Sequence, residues 1–313
     1  MANVFFRASE DALDNITTAF DIVHSLTVSL KYTRHVINEA ANRNSLGSEN
    51  DYQIIIDPAD SVRGVNYKRT FIETSWATQE EIIAWILLNN LFAIHEGWAQ
   101  RLYDEAFFRF HYQERSFIKN LEFPGLTGKF SNYYVAANKR SNVLDGAFFN
   151  AYKTASGMDF NRLENYMLCY RFFKEARNCY MHHNFVASKD LVDAYNAYIP
   201  FATCNDLNVT EVPIIILPVL GHRVKLSLRG VIGFSQLVRR IIIITDINLL
   251  RSKAAEKEFM DRKPIKWNCR TLSSDATRAE RQITHYSAKI GFLRATWTAD
   301  YQQFLIDNGI YNK

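Results

Sequence analysis

The spacing of apolar and polar residues predicts a chain made mostly of long amphipathic helices. Between residue 9 and about residue 43, apolar side chains such as Ile16, Phe20 and Val23 recur every three to four positions, which is the period of one helix face. A second long helix is predicted to begin at the capping-box sequence that starts at Thr78 and to continue to about residue 109. The same periodicity predicts further helices at 142–152, 160–183, 189–198, 229–257 and about 275–307.

Two stretches interrupt this helical pattern. Residues 53–56, which end shortly before Pro58, predict a short strand or an extended connection. Between residues 201 and 228, two apolar runs lie on either side of Gly221, and this arrangement predicts a small β-hairpin insertion near 212–226. The chain is therefore predicted to be a mainly α protein with one hairpin inserted among its helices.

Composition narrows the range of functions. The 313 residues are 48% hydrophobic and 14% aromatic, which argues against a disordered chain. The formal net charge of +4 is compatible with a phosphate-bearing partner without demonstrating one. The apolar runs at 82–94 and 241–250 are too short to span a bilayer, and no secretory signal opens the sequence, so no membrane association is expected.

Known metal and cofactor motifs are absent from the sequence. The 4 cysteines show neither a CxxC pair nor a metal-ligand spacing, and scattered thiols of this kind are typical of the reducing cytoplasm. Walker A, GxGxxG, HExxH and GxSxG sequences are not found either. We therefore expect a cytoplasmic protein that uses no metal and no cofactor.

The segment from Arg177 to His182 carries the most specific chemistry of the chain. It lies near the end of a predicted helix and contains Arg177, Asn178 and His182 within six residues. Arginine offers a planar fork of donors to a phosphate, and histidine exchanges a proton near neutral pH. Asparagine orients either group. Together these side chains are suited to cutting RNA without a metal.

The helix carrying this segment is predicted to have one buried face and one polar stripe. Arg177 lies about 140° around the helix from His182, so one helix does not easily bring both side chains to one phosphate. Two such helices related by a two-fold axis would bring groups from both copies into a shared cleft. The predicted buried face contains Cys169, Phe172, Phe173, Ala176, Cys179, Tyr180 and His183, and the predicted stripe contains Arg171, Glu175, Asn178 and His182.

These residues resemble the HEPN superfamily, whose members have an arginine and a histidine separated by four to six residues, often as Arg-Asn, three residues and His. Arg177, Asn178 and His182 match that form residue for residue. The resemblance implies an HEPN-like helical bundle that forms a homodimer and cleaves RNA at the shared cleft. It also implies kinship with toxin and abortive-infection ribonucleases of antiviral defence, and hence an antitoxin or another defence protein as a partner.

The resemblance extends over about residues 78–257 and implies a domain organisation. We expect a single mostly helical domain over 1–313, with an N-terminal helical extension at 1–75 and a C-terminal helix at 258–313. The HEPN-like core would occupy 76–257, with the hairpin insertion at 201–228. Family members also carry an acidic and basic pair on an earlier helix. Glu105 with Arg109, or Glu96, are candidates for that supporting role, and Glu175 is a candidate for orienting His182.

Several alternatives stay open. Arg278 and His285 form a second arginine–histidine pair within the permitted spacing, without an adjacent asparagine. Arg171, Arg239 and Arg240 are candidates for lining an RNA path, and a solvated helix face is the plainer role for such cations. The main functional hypothesis is a metal-independent endoribonuclease. The alternatives are a non-catalytic HEPN-like regulator or scaffold that binds RNA or protein, and a helical structural protein with a fortuitous motif.

Overall fold

The protein is mainly helical, as predicted. The computed structural model describes residues 3–44, 48–59, 64–102, 141–264, 267 and 269–312. The first helices are α1 (Arg7–Asn44), α2 (Glu49–Ile56) and α3 (Trp76–Leu102), with a π-helical turn at Arg69–Glu73. They are followed by α4 (Asn142–Leu144), a π-helical segment at Asp145–Phe149, α5 (Asn150–Ser156), α6 (Leu163–His182), α7 (Lys189–Tyr198) and α8 (Cys204–Leu207). The last four are α9 (Leu228–Leu249), α10 (Lys253–Asp261), α11 (Ala276–Lys289) and α12 (Ala299–Asp307).

The core lies where α1, α3, α6 and α9 pack together. The isoleucine run at 241–244 makes this part of α9 apolar on all sides, and each of these residues is at most 3% exposed. A helix that is apolar all round is typical of a position surrounded by other elements. Among the described helices, α3 is the one that is long and apolar enough to cross a membrane, and more than half of its most apolar window is buried inside the fold.

The first residues of the N-terminal segment are part of the core. Phe5 and Phe6 are at most 1% exposed. Their backbone N–H groups donate to the two carboxylate oxygens of Asp246 in α9, at 2.6 and 3.0 Å. The Arg262 guanidinium donates to the carbonyl of Phe5 at 2.7 Å. The start of the chain is therefore fixed to α9 and α10, and α1 runs from there along α3.

The predicted hairpin near 212–226 does not form. Residues 211–218 have no regular secondary structure and no backbone–backbone hydrogen bonds. Pro213 and Pro218 supply no N–H donors, which disfavours a strand ladder. Instead the chain lies directly on α9, where a Cβ added at Gly230 would collide with the carbonyl oxygen of Ile214 and one at Gly233 would come within 3.0 Å of Pro213 Cα. The apolar run is an extended segment held against a helix.

Two further predictions were wrong in detail. Residues 53–56 belong to α2, which begins with a capping box between Ser48 and Asp51. The single C-terminal helix is two helices, α11 and α12, because the chain turns at Gly291, whose φ is 86°. Two short strands pair in parallel: β1 (Arg270–Thr271) precedes these two helices in the sequence, and β2 (Tyr311–Asn312) follows them.

Candidate functional site

Helix α6 presents the Arg177–His182 segment at its C-terminal end and buries one face in the core. Phe173, Ala176 and Cys179 are at most 1% exposed. The Phe173 ring stacks on Phe234 of α9, with centroids 4.4 Å apart. Of the predicted buried face, Tyr180 is only partly buried and His183 is exposed, the latter because α6 ends one residue earlier; the other members are buried.

Arg177 is half-buried and has no carboxylate partner within the described residues. Its Nε atom is buried without a hydrogen-bond acceptor, and no ion pair to the guanidinium occurs in the described part of the chain. Pairing with a carboxylate of a neighbouring helix is the plainest structural role for such an arginine, and that pairing is not seen here. Unused donors in a half-buried position leave Arg177 available to a ligand that brings oxygen acceptors.

Asn178 is tied to the preceding turn of the same helix. Its Nδ2 donates to Glu175 Oε2 at 3.1 Å. The other carboxylate oxygen of Glu175 accepts from Arg171, with an N···O distance of 2.6 Å. Glu175 is 5% exposed, so the predicted polar stripe is in part a buried ion pair. Glu175 therefore contacts Arg171 and Asn178, and Asn178 in this copy is held by Glu175.

His182 is exposed at the last position of α6. Within the described residues its imidazole has no hydrogen bond or ion pair. The next turn is unusual, because Asn184 and Phe185 both adopt positive φ, at 49° and 65°. Residues other than glycine rarely adopt this conformation. The Phe185 N–H donates to the carbonyl of Cys179 at 3.0 Å, which ends the helix and leaves His182 at its tip.

Three rings, Trp85, Tyr180 and Phe185, form an aromatic platform beside this tip. The Trp85 ring of α3 stacks on the Tyr180 ring, with centroids 4.9 Å apart. The Phe185 ring lies edge-to-face with both, with its centroid 5.7 Å from that of Trp85 and 4.7 Å from that of Tyr180. The Arg223 guanidinium covers the Phe185 ring at 4.2 Å and lies 3.7 Å from Glu81. Sequence reasoning placed Tyr180 on the packed face but had no signal for Trp85, Phe185 or Arg223, because their contacts join segments far apart in the chain.

A buried group of titratable side chains lies between α3 and α6. His95 is fully buried, and its Nδ1 lies 3.1 Å from the hydroxyl of Tyr170. Its Nε2 is buried without a hydrogen-bond partner. Burial, and then the charge of Lys174, lowers the pKa of His95 to about 3, so the imidazole is neutral at ordinary pH.

Lys174 is itself 5% exposed. Burial is the largest cause lowering its pKa to about 8, and repulsion from Arg171 and Arg177 acts in the same direction. Attraction by Glu175 and Glu96 acts against them. Glu96, half-buried on α3, is thus within electrostatic range of Lys174. We call Glu96, Arg171, Lys174, Glu175 and Arg177 the α3–α6 charge cluster.

The other candidate residues lie elsewhere. Glu105 and Arg109 are outside the described residues. Arg239 donates to the carbonyl of Leu13 and the hydroxyl of Thr17, at 3.2 and 2.7 Å, and so joins α9 to α1. Arg240 reaches the Tyr166 hydroxyl at 3.4 Å.

The rival arginine–histidine pair, Arg278 and His285, is exposed along α11. These two side chains are separated by seven positions and lie on nearly the same helix face. They have no adjoining cluster of buried charges comparable with that beside Arg177 within the described residues.

In a single copy, contacts join only some of the candidate residues of α6, and Arg177 is not among them. Arg171, Glu175 and Asn178 are linked by contacts, whereas His182 stands alone at the helix tip. The described residues contain no group of three or more histidine, cysteine or acidic side chains able to hold a metal ion. Comparison with protein-family models, with curated proteins and with solved structures gives no match to this chain.

Proposed function

We propose that the chain is a metal-independent endoribonuclease whose active site is shared between two copies. Arg177 carries the proposal, because it is a half-buried arginine whose donors have no protein acceptor in the described part of the chain. A phosphodiester would supply those acceptor oxygens in the planar arrangement that a guanidinium prefers. The exposed His182 on the same helix supplies an imidazole, the side chain most often used as a general acid or base.

The proposed reaction is an in-line displacement at phosphorus. The 2′-hydroxyl beside the scissile linkage loses its proton to a base and attacks the phosphorus, and the bond from phosphorus to the 5′ oxygen breaks. The departing oxygen takes a proton from an acid. The products are a 2′,3′-cyclic phosphate and a 5′-hydroxyl. His182 serves as base or acid, while Arg177 stabilises the charge that develops on the phosphate oxygens and Asn178 positions the phosphate or the imidazole.

A homodimer is part of the proposal, because Arg177 and His182 point about 140° apart around α6. Exposed apolar side chains lie close in sequence to the residues of the aromatic platform. Met181 follows Tyr180 and is 50% exposed, and Ile82 and Ile86 lie near Trp85 on α3 and are 53% and 57% exposed. Burying such side chains against a second copy would be favourable. This apolar surface therefore supports a two-fold contact beside the helix tip.

The test is cleavage of RNA by purified protein in the presence of EDTA, followed by analysis of the new ends. We expect cleavage to survive chelation and to leave cyclic phosphate and 5′-hydroxyl ends. Products with 5′-phosphate ends, or a requirement for added metal, would contradict the mechanism. Size-exclusion chromatography with light scattering should report a dimer.

The alternative function is binding of RNA or protein without cleavage. It is favoured because Glu175 binds both Asn178 and Arg171. In a single copy, neither of these contacts orients His182. Tight binding of RNA that stays intact in the same assay would favour this alternative.

A further inference from the structure

The segment from Val212 to Gly221 is an apolar stretch of ten residues without a charged side chain. Its large side chains remain accessible to solvent, although the segment rests on α9. The exposed fractions are 43% for Ile214, 41% for Ile216, 62% for Leu217, 52% for Val219 and 61% for Leu220. A continuous exposed run of such side chains is typical of a surface that contacts another protein.

The backbone of this segment has unused hydrogen-bonding groups. Pro213 and Pro218 are buried and bound the four residues 214–217. Within the part of the chain that the structure describes, the N–H and C=O groups of these four residues make no hydrogen bond. Unpaired groups along an extended chain are what the edge strand of a sheet offers to an added strand. The surface is therefore suited to another extended backbone rather than to a helix.

Contacts with α9 show that the segment is extended. A Cβ added at Gly233 would meet Pro213, and one added at Gly230 would meet Ile214. These two glycines lie three positions apart, which is about 4.5 Å along the helix axis. The segment therefore runs antiparallel to α9 and advances along it as fast as an extended chain can.

The same contacts show which edge of the segment is free. The nitrogen and the carbonyl oxygen of Ile214 both lie against Gly230. In an extended chain, successive residues direct their N–H and C=O groups to opposite edges. The groups of Ile215 and Leu217 therefore point away from α9, where a further strand has room to pair with them.

We propose that this edge pairs with the same segment of a second copy, as an antiparallel ladder across a two-fold axis at Ile216. Ile215 of each chain exchanges hydrogen bonds with Leu217 of the other, and the two copies of Ile216 face each other. A two-fold contact needs a surface that is complementary to itself. A segment without charges meets this need, because pairing places no like charges opposite each other. This inference rests on the homodimer of the proposed function and assigns the segment that joins the copies.

The segment leads directly to the tip of α6. The Gly221 N–H donates to the carbonyl of Ala187 at 3.1 Å, and the Val224 N–H donates to that of Phe185 at 2.7 Å. The end of the apolar stretch is thus hydrogen-bonded to the residues that follow His182. A two-fold contact through this stretch brings the second copy to the end of the molecule where the proposed shared site requires it.

Cross-linking tests the register of this pairing. Two residues that face each other across an antiparallel pair have Cβ atoms about 4.5–5.5 Å apart, close to the separation that a disulfide bridges. The exposed Cys204 and Cys269 are first replaced by serine. In that chain, Ile216→Cys should form a disulfide-linked dimer at least about tenfold faster than Ile55→Cys, because pairing raises the effective concentration of the thiol. Ile55 of α2 is the matched control, since it is 44% exposed. Equal rates would overturn the register.

Sedimentation measures the strength of the contact. Ile216→Lys should raise the dissociation constant of the dimer about a hundredfold, because each dimer loses two apolar side chains from its interface and gains two like charges face to face. Ile55→Lys should leave the dissociation constant unchanged. If both lysine variants dimerise as the native chain does, the proposed contact is wrong.

Hydrogen exchange of the native chain gives a readout that also serves if a variant fails to fold. The N–H groups of Ile215 and Leu217 should exchange about tenfold more slowly at protein concentrations above the dissociation constant than below it, because pairing protects them. Those of Ile214 and Ile216 point towards α9 and should change less. An unaltered exchange rate at Ile215 and Leu217 would contradict a ladder even if the chain dimerises.

The outcomes separate this inference from the nuclease proposal. If the cross-linking and exchange results follow this pattern while RNA stays uncut, the paired interface stands and the nuclease proposal fails. If dimers cleave RNA but Ile216→Cys links no faster than its control, the interface is wrong and the nuclease proposal is unaffected. A chain that stays monomeric, or a segment protected only after a different protein is added, would overturn pairing with a second copy.

Discussion

Arg177 and His182 differ in their surroundings as their proposed roles require. The guanidinium is half-buried, which strengthens its interaction with a phosphate by excluding water. The imidazole stands exposed at the helix tip, where solvent and substrate can both reach it. A buried histidine such as His95, whose pKa is lowered to about 3, would not exchange protons at neutral pH. The two histidines on neighbouring helices are therefore suited to different tasks.

Substitutions at these positions give the first prediction. His182→Ala should lower the rate of cleavage by about 10²–10⁴, the usual contribution of a general acid or base. Arg177→Ala should lower it by about 10²–10³, as expected for loss of a donor to developing charge. Arg177→Lys should recover little, because a lysine lacks the planar fork. The rates are measured on one labelled RNA under single-turnover conditions.

The rival pair supplies the control for this experiment. Arg278→Ala and His285→Ala remove the same two residue types from an exposed helix. Both variants should cleave at the native rate. Loss of cleavage in either one, with normal rates in the Arg177 and His182 variants, would move the site to α11.

At the scale of elements, the sequence predicted helices correctly where an amphipathic repeat extended over many residues. It predicted secondary structure poorly where only a short apolar run was available. The boundaries of α7 were predicted as observed, since Ser188 caps a clear amphipathic repeat. Three consecutive isoleucines at 54–56 suggested a strand, yet the capping box at Ser48 makes them the end of α2. The start of α3 lies upstream of Thr78 because Ser75 accepts the Thr78 N–H at 3.1 Å.

The candidate site was predictable only where it depends on one helix. The face of α6 that carries Ala176 and Cys179 follows from helical geometry. The contact of Trp85 with Tyr180 depends on how α3 packs against α6, and no spacing within either segment reveals that packing. The incorrect prediction of a hairpin has the same origin, since the run at 213–217 packs against α9 rather than against a second strand.

The close approach of this extended run to α9 gives the second prediction. Gly230→Ala should lower the free energy of unfolding by about 1–3 kcal/mol, because the added methyl group overlaps the Ile214 carbonyl and the backbone has to move. Gly97→Ala in α3 is the control, since a Cβ there meets nothing within 4 Å. That substitution should raise the unfolding free energy by roughly 0.5–1 kcal/mol. Urea denaturation of both variants measures the difference, and equal effects would refute the packing described here.

At the scale of the whole molecule, a shared site predicts that two inactive variants complement each other. In a mixed dimer of Arg177→Ala and His182→Ala chains, one composite site has lost both groups and the other keeps both. Random exchange makes about half of the dimers mixed, so about a quarter of native activity should return. The variants are denatured together, refolded and assayed against each one alone. No recovery, with mixed dimers demonstrated by mass, would contradict a site built from both copies.

Two buried groups make opposite contributions to stability as pH changes. The pKa of His95 falls from 6.5 in the unfolded chain to about 3, so the unfolded chain binds the proton and this contribution to stability is lost as pH drops. Burial raises the pKa of Asp246 from 3.8 to about 7, so the folded chain holds that proton and its contribution is lost as pH rises. Between its unfolded and folded pKa values, each group changes the free energy of unfolding by about 1.4 kcal/mol per pH unit. The two changes have opposite signs between about pH 4 and 6.5.

Replacing either buried group should leave the pH dependence of stability that the other group causes. Relative to the native chain, His95→Gln should lose stability as pH rises through this window, and Asp246→Asn should gain it. His285→Gln, at an exposed position, should follow the native profile. Unfolding free energies from urea titrations at several pH values give the comparison. Parallel profiles for all three variants would show that neither buried group titrates as inferred.

The aromatic platform has a practical consequence. The indole of Trp85 rests on Tyr180 and Phe185, which come immediately before and after the short segment that holds His182. Anything that docks over the helix tip changes the surroundings of that indole. The chain therefore carries its own fluorescent reporter at the position where the chemistry is proposed to occur.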